Sequence, residues 1–269
     1  MEINRNNINE LVNEFMVKPD KDYGQNFLID PNICKRIVDS IDINEGEKIL
    51  EVGPGLGSLT HFFIDKNCEY QGIDIDKRMI EFLEFNYKYD HISFVLNDIR
   101  KQDISSHDKI IGNLPYNITT ETIVYLLINA KKCSKMVLMC QSETLSHFID
   151  TKGKEYGPVS ILIHLLGEIK SLFVVKPGSF YPSPKCNSTV FEIELNSKNN
   201  REIALETYSL CKKLFINRRK TIQNNLNAFL KDKDKTIKVL NELGIPLTSR
   251  PEEIDYNSYL KLCLLLKTI

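Results

Sequence analysis

Lys48-Ile-Leu-Glu-Val-Gly-Pro-Gly-Leu-Gly57 sets the architecture of this chain. A short apolar run closes at Val52, glycines stand at 53, 55 and 57, and the pattern then turns helical over Ser58 to Asp65. A strand entering a helix through a glycine-rich turn opens a βα unit. Its glycines let the backbone approach a ligand and expose amides at the helix N-terminus. Outward from this stretch the same alternation repeats. Glu69 to Asp74 predicts a second strand, followed by a helix over 77–87. Further strands are expected at 92–96, 108–112, 135–140, 169–175 and 188–195. Helices are expected at 33–41, opened by Asp30-Pro31, and at 119–130, 143–149 and 157–167. This order predicts an α/β fold with a mostly parallel, doubly wound sheet and ligands at the carboxyl ends of its strands. Ser-Thr-Val-Phe-Glu-Ile-Glu-Leu at 188–195 alternates cleanly and reads as an antiparallel edge.

Beyond Ser197-Lys-Asn-Asn200, a short polar linker, the pattern holds helices near 201–216, 219–230, 235–243 and 256–267 and no strand. A small helical domain of about seventy residues is expected there. The net charge of −1 hides an asymmetry. Residues 1–200 carry 22 Lys/Arg against 28 Asp/Glu, whereas residues 201–240 carry 10 against 4. A basic module on an acidic body suits phosphate contact, although Lys231, Lys233, Lys235 and Lys238 read equally well as a solvated face. Seven scattered cysteines form no C-x-x-C pair, which argues for reduced, mostly buried thiols rather than a disulfide frame or zinc site. No metal site and no membrane span are expected, nor a signal or transit peptide, so a cytoplasmic protein is expected.

A glycine run alone is a weak signal, consistent with a plain strand–helix turn. Two carboxylates strengthen it. Asp74 ends the second strand, where an acid can accept from both ribose hydroxyls of a nucleoside. Asp98 follows the third strand, where it can accept from an adenine amino group. A nicotinamide enzyme would also place an acid near 74, but it calls for G-x-G-x-x-G, and this chain has G-x-G-x-G. At the fourth strand stands Asn113-Leu-Pro-Tyr116. An exocyclic adenine nitrogen is a poor nucleophile because its lone pair is delocalised into the ring. The Asn113 side-chain carbonyl and the backbone carbonyl of Leu114 or Pro115 can accept from the amino hydrogens and draw the nitrogen toward tetrahedral geometry. Pro115 stiffens the turn and Tyr116 offers a stacking face. This is the constellation of an S-adenosylmethionine-dependent enzyme that methylates an amine of a nucleobase. Positioning carries most of such a rate gain.

With those residues in place the chain resembles the KsgA-type adenine dimethyltransferases of small-subunit ribosomal RNA. Tyr23-Gly-Gln-Asn-Phe-Leu-Ile-Asp30 is similar to the family's leading donor motif, Glu51 to Gly57 to its glycine motif, and Asn113 to Tyr116 to its N-L-P-Y signature. Phe180-Tyr-Pro-Ser-Pro-Lys-Cys-Asn-Ser188 resembles F-x-P-x-P-K-V-x-S, and Arg218-Arg-Lys-Thr221 the R-R-K-T-L element of the tail. Met139-Cys-Gln-Ser142 and Gly157-Pro158 depart from the family pattern and thin the basic surface near the site.

The resemblance implies a Rossmann-like class I methyltransferase sheet over 1–197 and a helical, RNA- or ribosome-contacting domain over 198–269. It implies S-adenosylmethionine on Gln25, Asn26, Leu28, Glu51, Gly53, Gly55, Asp74, Ile75, Asp98, Ile99 and Asn113. Asn113, Leu114, Pro115, Tyr116 and Phe180 would hold the target base, with Phe180 stacking opposite Tyr116. Lys185, Arg218, Arg219 and Lys220 would meet RNA. The implied reaction is dimethylation of adenine N6 on two adjacent adenosines of small-subunit rRNA, in a 30S-type particle, by a monomer. The target base would be splayed from its stack to enter the pocket. Two alternatives stand beside it: a large-subunit rRNA methyltransferase of the antibiotic-resistance type, and a ribosome-assembly or transcription factor with secondary catalysis.

Overall fold

The computed structural model describes residues 2–20, 23–196 and 200–268. Its elements run α1 (Ile8–Glu14), β1 (Phe27–Leu28), α2 (Pro31–Ser40), β2 (Lys48–Val52), β3 (Glu69–Asp74), α3 (Lys77–Asn86), β4 (Ile92–Leu96), β5 (Lys109–Asn113) and α4 (Thr119–Asn129). They continue through β6 (Lys135–Gln141), α5 (Ser142–Ile149), α6 (Pro158–Leu166), β7 (Gly167–Val175), β8 (Phe180–Tyr181) and β9 (Ser188–Leu195) to the helices α7 (Arg201–Leu214), α8 (Ile222–Leu230), α9 (Lys233–Glu242) and α10 (Tyr256–Thr268). The chain gathers into two compact units, Met1–Glu143 with Lys170–Glu194, and Thr144–Ile169 with Leu195–Ile269. The expected linker residues Ser197, Lys198 and Asn199, and with them the expected boundary, lie outside the described residues.

The first unit is built on a seven-stranded sheet of order β4-β3-β2-β5-β6-β9-β7. The pairs β2–β3, β3–β4, β2–β5 and β5–β6 are all parallel. The order reverses between β2 and β5. Right-handed crossovers therefore send the connections to opposite faces, and a crevice opens at the carboxyl ends of those two strands. β2 is buried from Ile49 to Val52, as a central strand covered on both faces must be. At Gly112 of β5 a Cβ would come within 2.7 Å of the Val52 carbonyl, so β5 approaches β2 there as only glycine allows.

β9 runs antiparallel to β6, as its alternation predicts, but it lies between β6 and β7 rather than at an edge. Its polar residues misled that expectation because they are buried with partners. Thr189 shares a 2.7 Å hydrogen bond with the Ser142 hydroxyl, and Glu192 meets the ammonium groups of Lys135 and Lys170. The helix expected over 58–65 shrinks to a 3-10 turn at Thr60–Phe63. The Ser58 hydroxyl donates to the Leu28 carbonyl at 2.6 Å, and the Thr60 hydroxyl to Glu51. Side chains tied outward in this way compete with helix propagation. The antiparallel pair β1–β8 and helix α1 carry too short a pattern for periodicity to expose.

The second unit is helical. α6, Pro-Val-Ser-Ile-Leu-Ile-His-Leu-Leu, is apolar almost all round, so it needs cover on every side. α7 and α10 pack against it, which places α6 with the tail helices rather than with the strands that precede it. Tyr156, Phe215 and Tyr259 form the aromatic centre, with ring centroids 6.1 and 5.7 Å apart along the series.

Gly57 closes the turn after β2 at φ +84°, and a Cβ there would lie 2.9 Å from the side chains of Leu83 and Tyr87. Gly57→Ala should therefore lower unfolding free energy by about 2 kcal/mol or more. A urea titration followed by circular dichroism checks this; an unchanged midpoint would contradict it.

Candidate active site

Four strand ends converge on one cleft. β2 delivers Gly53 and Gly55, β3 delivers Asp74 and Ile75, β4 delivers Asn97 to Arg100, and β5 delivers Asn113 to Tyr116. The segment Tyr23 to Leu28 supplies the remaining wall. The space measures about 1030 Å³, part of it open to solvent. Every residue expected at the cofactor site lines it: Gln25, Asn26, Leu28, Glu51, Gly53, Gly55, Asp74, Ile75, Asp98, Ile99 and Asn113. Leu114, Pro115 and Tyr116 line it as well.

The glycine turn carries its strain where the glycines are. Gly53 and Gly55 both sit at positive φ, and a Cβ on Gly55 would press to 3.1 Å against the Phe27 ring. The Gly55 amide donates to Asp74 Oδ2 at 3.2 Å, and the Asp76 amide to Asp74 Oδ1 at 2.9 Å. Asp74 is 9% exposed, and burial outweighs these bonds to push its carboxyl up to about 6. Glu51 is buried more deeply. Burial raises its carboxyl to about 7 against the pull of the Tyr70 and Thr60 hydroxyls, which donate to Oε2 at 2.5 and 3.1 Å. Asp98 is held the other way: the Arg100 guanidinium keeps it below the usual carboxylate range.

Asn113 is the last residue of β5, and its amide nitrogen donates to the Asn26 carbonyl at 3.1 Å. A carbonyl can only accept, so this bond turns the Asn113 side-chain oxygen away from Asn26, and among the described residues no donor is bonded to it. The Leu114 amide continues the ladder to the Met139 carbonyl at 3.0 Å. The Pro115 carbonyl takes the Ile118 amide at 3.2 Å and the Thr119 hydroxyl at 2.9 Å. The Tyr116 phenol shares a 2.8 Å hydrogen bond with Ser188, the last residue of the Phe180 to Ser188 segment.

Two of the expected contact residues are engaged elsewhere in this structure. Phe180 is 3% exposed, belongs to the core with Phe27 and Leu28, and is not part of the cleft wall. It pairs with Leu28 in the β1–β8 ladder, and alternation along that strand turns its ring inward while Tyr181 stays half-buried. Arg218 is committed within the second unit. Its Nη2 donates to the Tyr156 carbonyl at 2.9 Å and the Gly153 carbonyl at 3.3 Å, and its Nε lies 3.8 Å from the Glu252 carboxylate. Both bonds leave from one nitrogen, one to the exposed Gly153 and one to the buried Tyr156, and they tie this side chain to its own unit. Arg219, Lys220 and Lys185 are exposed.

Sequence reasoning passed over Asp76. It caps α3, takes the Arg78 fork at 3.0 and 2.6 Å, and accepts from the Gln25 amide at 2.9 Å, so it seats the wall segment beside the cleft. Its place just before a helix was the available signal. Ser188 and Arg100 had no signal apart from their neighbours.

Residues 16–267 match the family model described as ribosomal RNA adenine dimethylase. The chain belongs to that family. It is 34% identical to ribosomal RNA small subunit methyltransferase A of Lactobacillus johnsonii, over 96% of this chain and 94% of the relative. It is 36% identical to the protein of the same name from Malacoplasma penetrans, over 89% of each. Among solved structures its fold is similar to a dimethyladenosine transferase from Plasmodium falciparum, with TM-score 0.78 at 23% identity over 90% of this chain and 98% of that one. It is also similar to the 23S rRNA methyltransferase ErmE, with TM-score 0.69 at 20% identity over 90% and 100%. Among the described residues, no helix is long and apolar enough to cross a membrane.

Glu51 gives this site a pH signature. Its folded-state value of about 7 lies above the ordinary carboxylate 4.5, so the folded chain holds a proton that the unfolded chain releases. Stability is greatest below pH 4.5 on this account and falls as pH rises to about 7. Glu51→Gln should flatten that fall, read as the urea midpoint across the interval; an unaltered slope would show that the carboxyl is not the source.

Proposed function

We propose that this chain transfers methyl groups from S-adenosylmethionine to adenine N6, twice per base, on two adjacent adenosines of small-subunit ribosomal RNA. The observation that carries the reading is the Asn113 amide, pinned through its nitrogen to the Asn26 carbonyl and placed in the same cleft as the glycine turn, Asp74 and Asp98. Membership of the adenine dimethylase family and the names of the curated relatives support the substrate class.

The chemistry of the wall fits the donor. Gly53 and Gly55 leave backbone exposed to a ligand, Asp74 can accept ribose hydroxyls, Asp98 can accept an adenine amine, and Ile75 and Ile99 offer apolar faces to a purine. S-adenosylmethionine supplies an electrophilic methyl group on a sulfonium that departs without further activation. The protein's part is to make an amine nucleophilic and to aim it. Asn113 Oδ1 accepts one amino hydrogen. Of the two backbone carbonyls considered for the second, that of Pro115 already serves Ile118 and Thr119, so the Leu114 carbonyl is assigned this role. In the first transfer both acceptors bind the amine and pull its lone pair out of conjugation; the monomethylated amine has one N–H left for one acceptor, and each transfer releases a proton to the solvent that reaches the open cleft. Tyr116, its ring steadied by Ser188, provides a stacking face in the cleft. Preorganised acceptors of this kind cost no reorganisation at the moment of transfer.

We further propose that the acceptor is rRNA within a 30S-type particle, met by a monomer in the cytoplasm. Lys185, Arg219 and Lys220 are the proposed phosphate contacts, preferred over Arg218 because its Nη2 already serves two carbonyls. The basic balance of residues 201–240 supports that placement.

Asn113→Ala should lower methyl transfer to undermethylated small subunits by about 100-fold or more while changing donor affinity less than about tenfold. Transfer of labelled methyl with dimethyladenosine located on both rRNAs checks this; product only in large-subunit rRNA would favour the antibiotic-resistance type instead. With three phosphate contacts, log K for single-stranded RNA should fall with log salt at a slope of about −2, dropping to about −0.7 when Arg219 and Lys220 are both alanine. Filter binding over a salt series gives the slope, and equal slopes for both proteins would remove the pair from the interface.

A further inference from the structure

Asp98 does not stand alone in the cleft. Arg100, two residues on, lies back over it, because the 3-10 turn Ile99–Lys101 reverses the chain there. Arg100 Nε donates to Asp98 Oδ1 at 3.0 Å and Nη2 to Oδ2 at 2.8 Å, while the Arg100 backbone amide also donates to Oδ1 at 2.9 Å. Each carboxylate oxygen offers about two lone pairs. Oδ1 is therefore saturated by two donors. Oδ2 has one donor among the described residues and retains one open position.

Besides this cap, the turn is held by two further bonds. The Asp98 amide donates to Asn97 Oδ1 at 2.9 Å, and the Asn97 amide nitrogen to Gln102 Oε1 at 2.9 Å. These bonds fix the backbone and leave the carboxylate torsion to be set. A single backbone donor on Oδ1 would allow the group to pivot. The bidentate fork does not, since two parallel bonds define the plane of the carboxylate as well as its distance. Arg100 and Asp98 both line the cleft beside Ile75 and Ile99, and the Asp98 side chain is only 13% exposed.

We propose that Arg100 is a positioning residue for donor recognition: its fork fixes the Asp98 carboxylate so that the open lone pair on Oδ2 faces the exocyclic amine of the donor's adenine. This rests on the cofactor reading above and deepens it. A fixed acceptor reads the base, because it rewards an amine and repels a carbonyl at the same position. A carboxylate free to rotate would accept an amine as well yet could swing from a carbonyl, and discrimination would fall. Charge alone does not set this orientation. A lysine at 100 would keep the Coulomb attraction and lose the plane.

The test compares two ligands on the full chain by titration calorimetry: S-adenosylhomocysteine, and S-inosylhomocysteine, in which the adenine amine is a carbonyl. The wild-type chain should prefer the adenosyl compound by about 100-fold or more, as sites built around a specific hydrogen bond do. Arg100→Ala and Arg100→Lys should each cut that preference about tenfold, with melting temperatures close to wild type because Arg100 is a partly exposed turn residue. An undiminished preference in both variants would overturn the assignment. So would loss in the alanine variant with full retention in the lysine variant, since charge rather than the fork would then be responsible. A wild-type chain that bound neither compound would instead overturn the cofactor reading itself.

Discussion

The bond from the Asn113 amide to the Asn26 carbonyl is the constraint on which the site depends. It joins residues 87 positions apart and settles which end of a carboxamide faces the cleft. Without it the side chain could rotate and present a donor where an acceptor is needed. The surrounding structure serves the same end. β5 carries Asn113 to the switch point, Gly112 lets β5 approach β2, and Asp76 seats Gln25 next to Asn26. The chain thus spends its specificity on orienting neutral acceptors, which suits a reaction whose difficulty lies in a delocalised lone pair.

The carboxylates around the donor wall are treated unequally, and the treatment matches their surroundings. Asp74 and Glu51 are raised by burial, Glu51 against two hydroxyl partners and Asp74 against backbone amides. Asp98 and Asp76 are lowered, each gripped by the arginine two residues beyond it. Aspartate followed at i+2 by arginine thus recurs at two strand ends. In both cases the carboxylate caps a short turn or helix with one oxygen while the guanidinium fixes its plane.

Much of the site was legible from short-range pattern because its residues sit at the carboxyl ends of strands. Gly53, Asp74, Asp98 and Asn113 each follow or close an apolar run, and parallel strands bring such positions together. Where the structure adds to that reading or departs from it, the deciding contact was remote in sequence. Phe180 looked like a stacking ring, but the two-residue ladder with β1 turns it into the core. Arg218 reads as a phosphate ligand in the sequence, and in the fold its Nη2 donates to carbonyls more than sixty residues earlier. β9 looked like an edge because its alternating polar residues find buried partners that no local pattern reveals.

By itself the sequence determined the α/β class, the parallel order of βα units and the residues that meet in the cleft. Hydrophobic period and turn chemistry act over a few residues, and those are written in the chain directly. Only the tertiary structure decided which rings stay exposed, which cations are free and which way the Asn113 amide points. Each of those is a competition for one hydrogen-bonding group or one buried face among distant segments, and only the folded chain brings the competitors together.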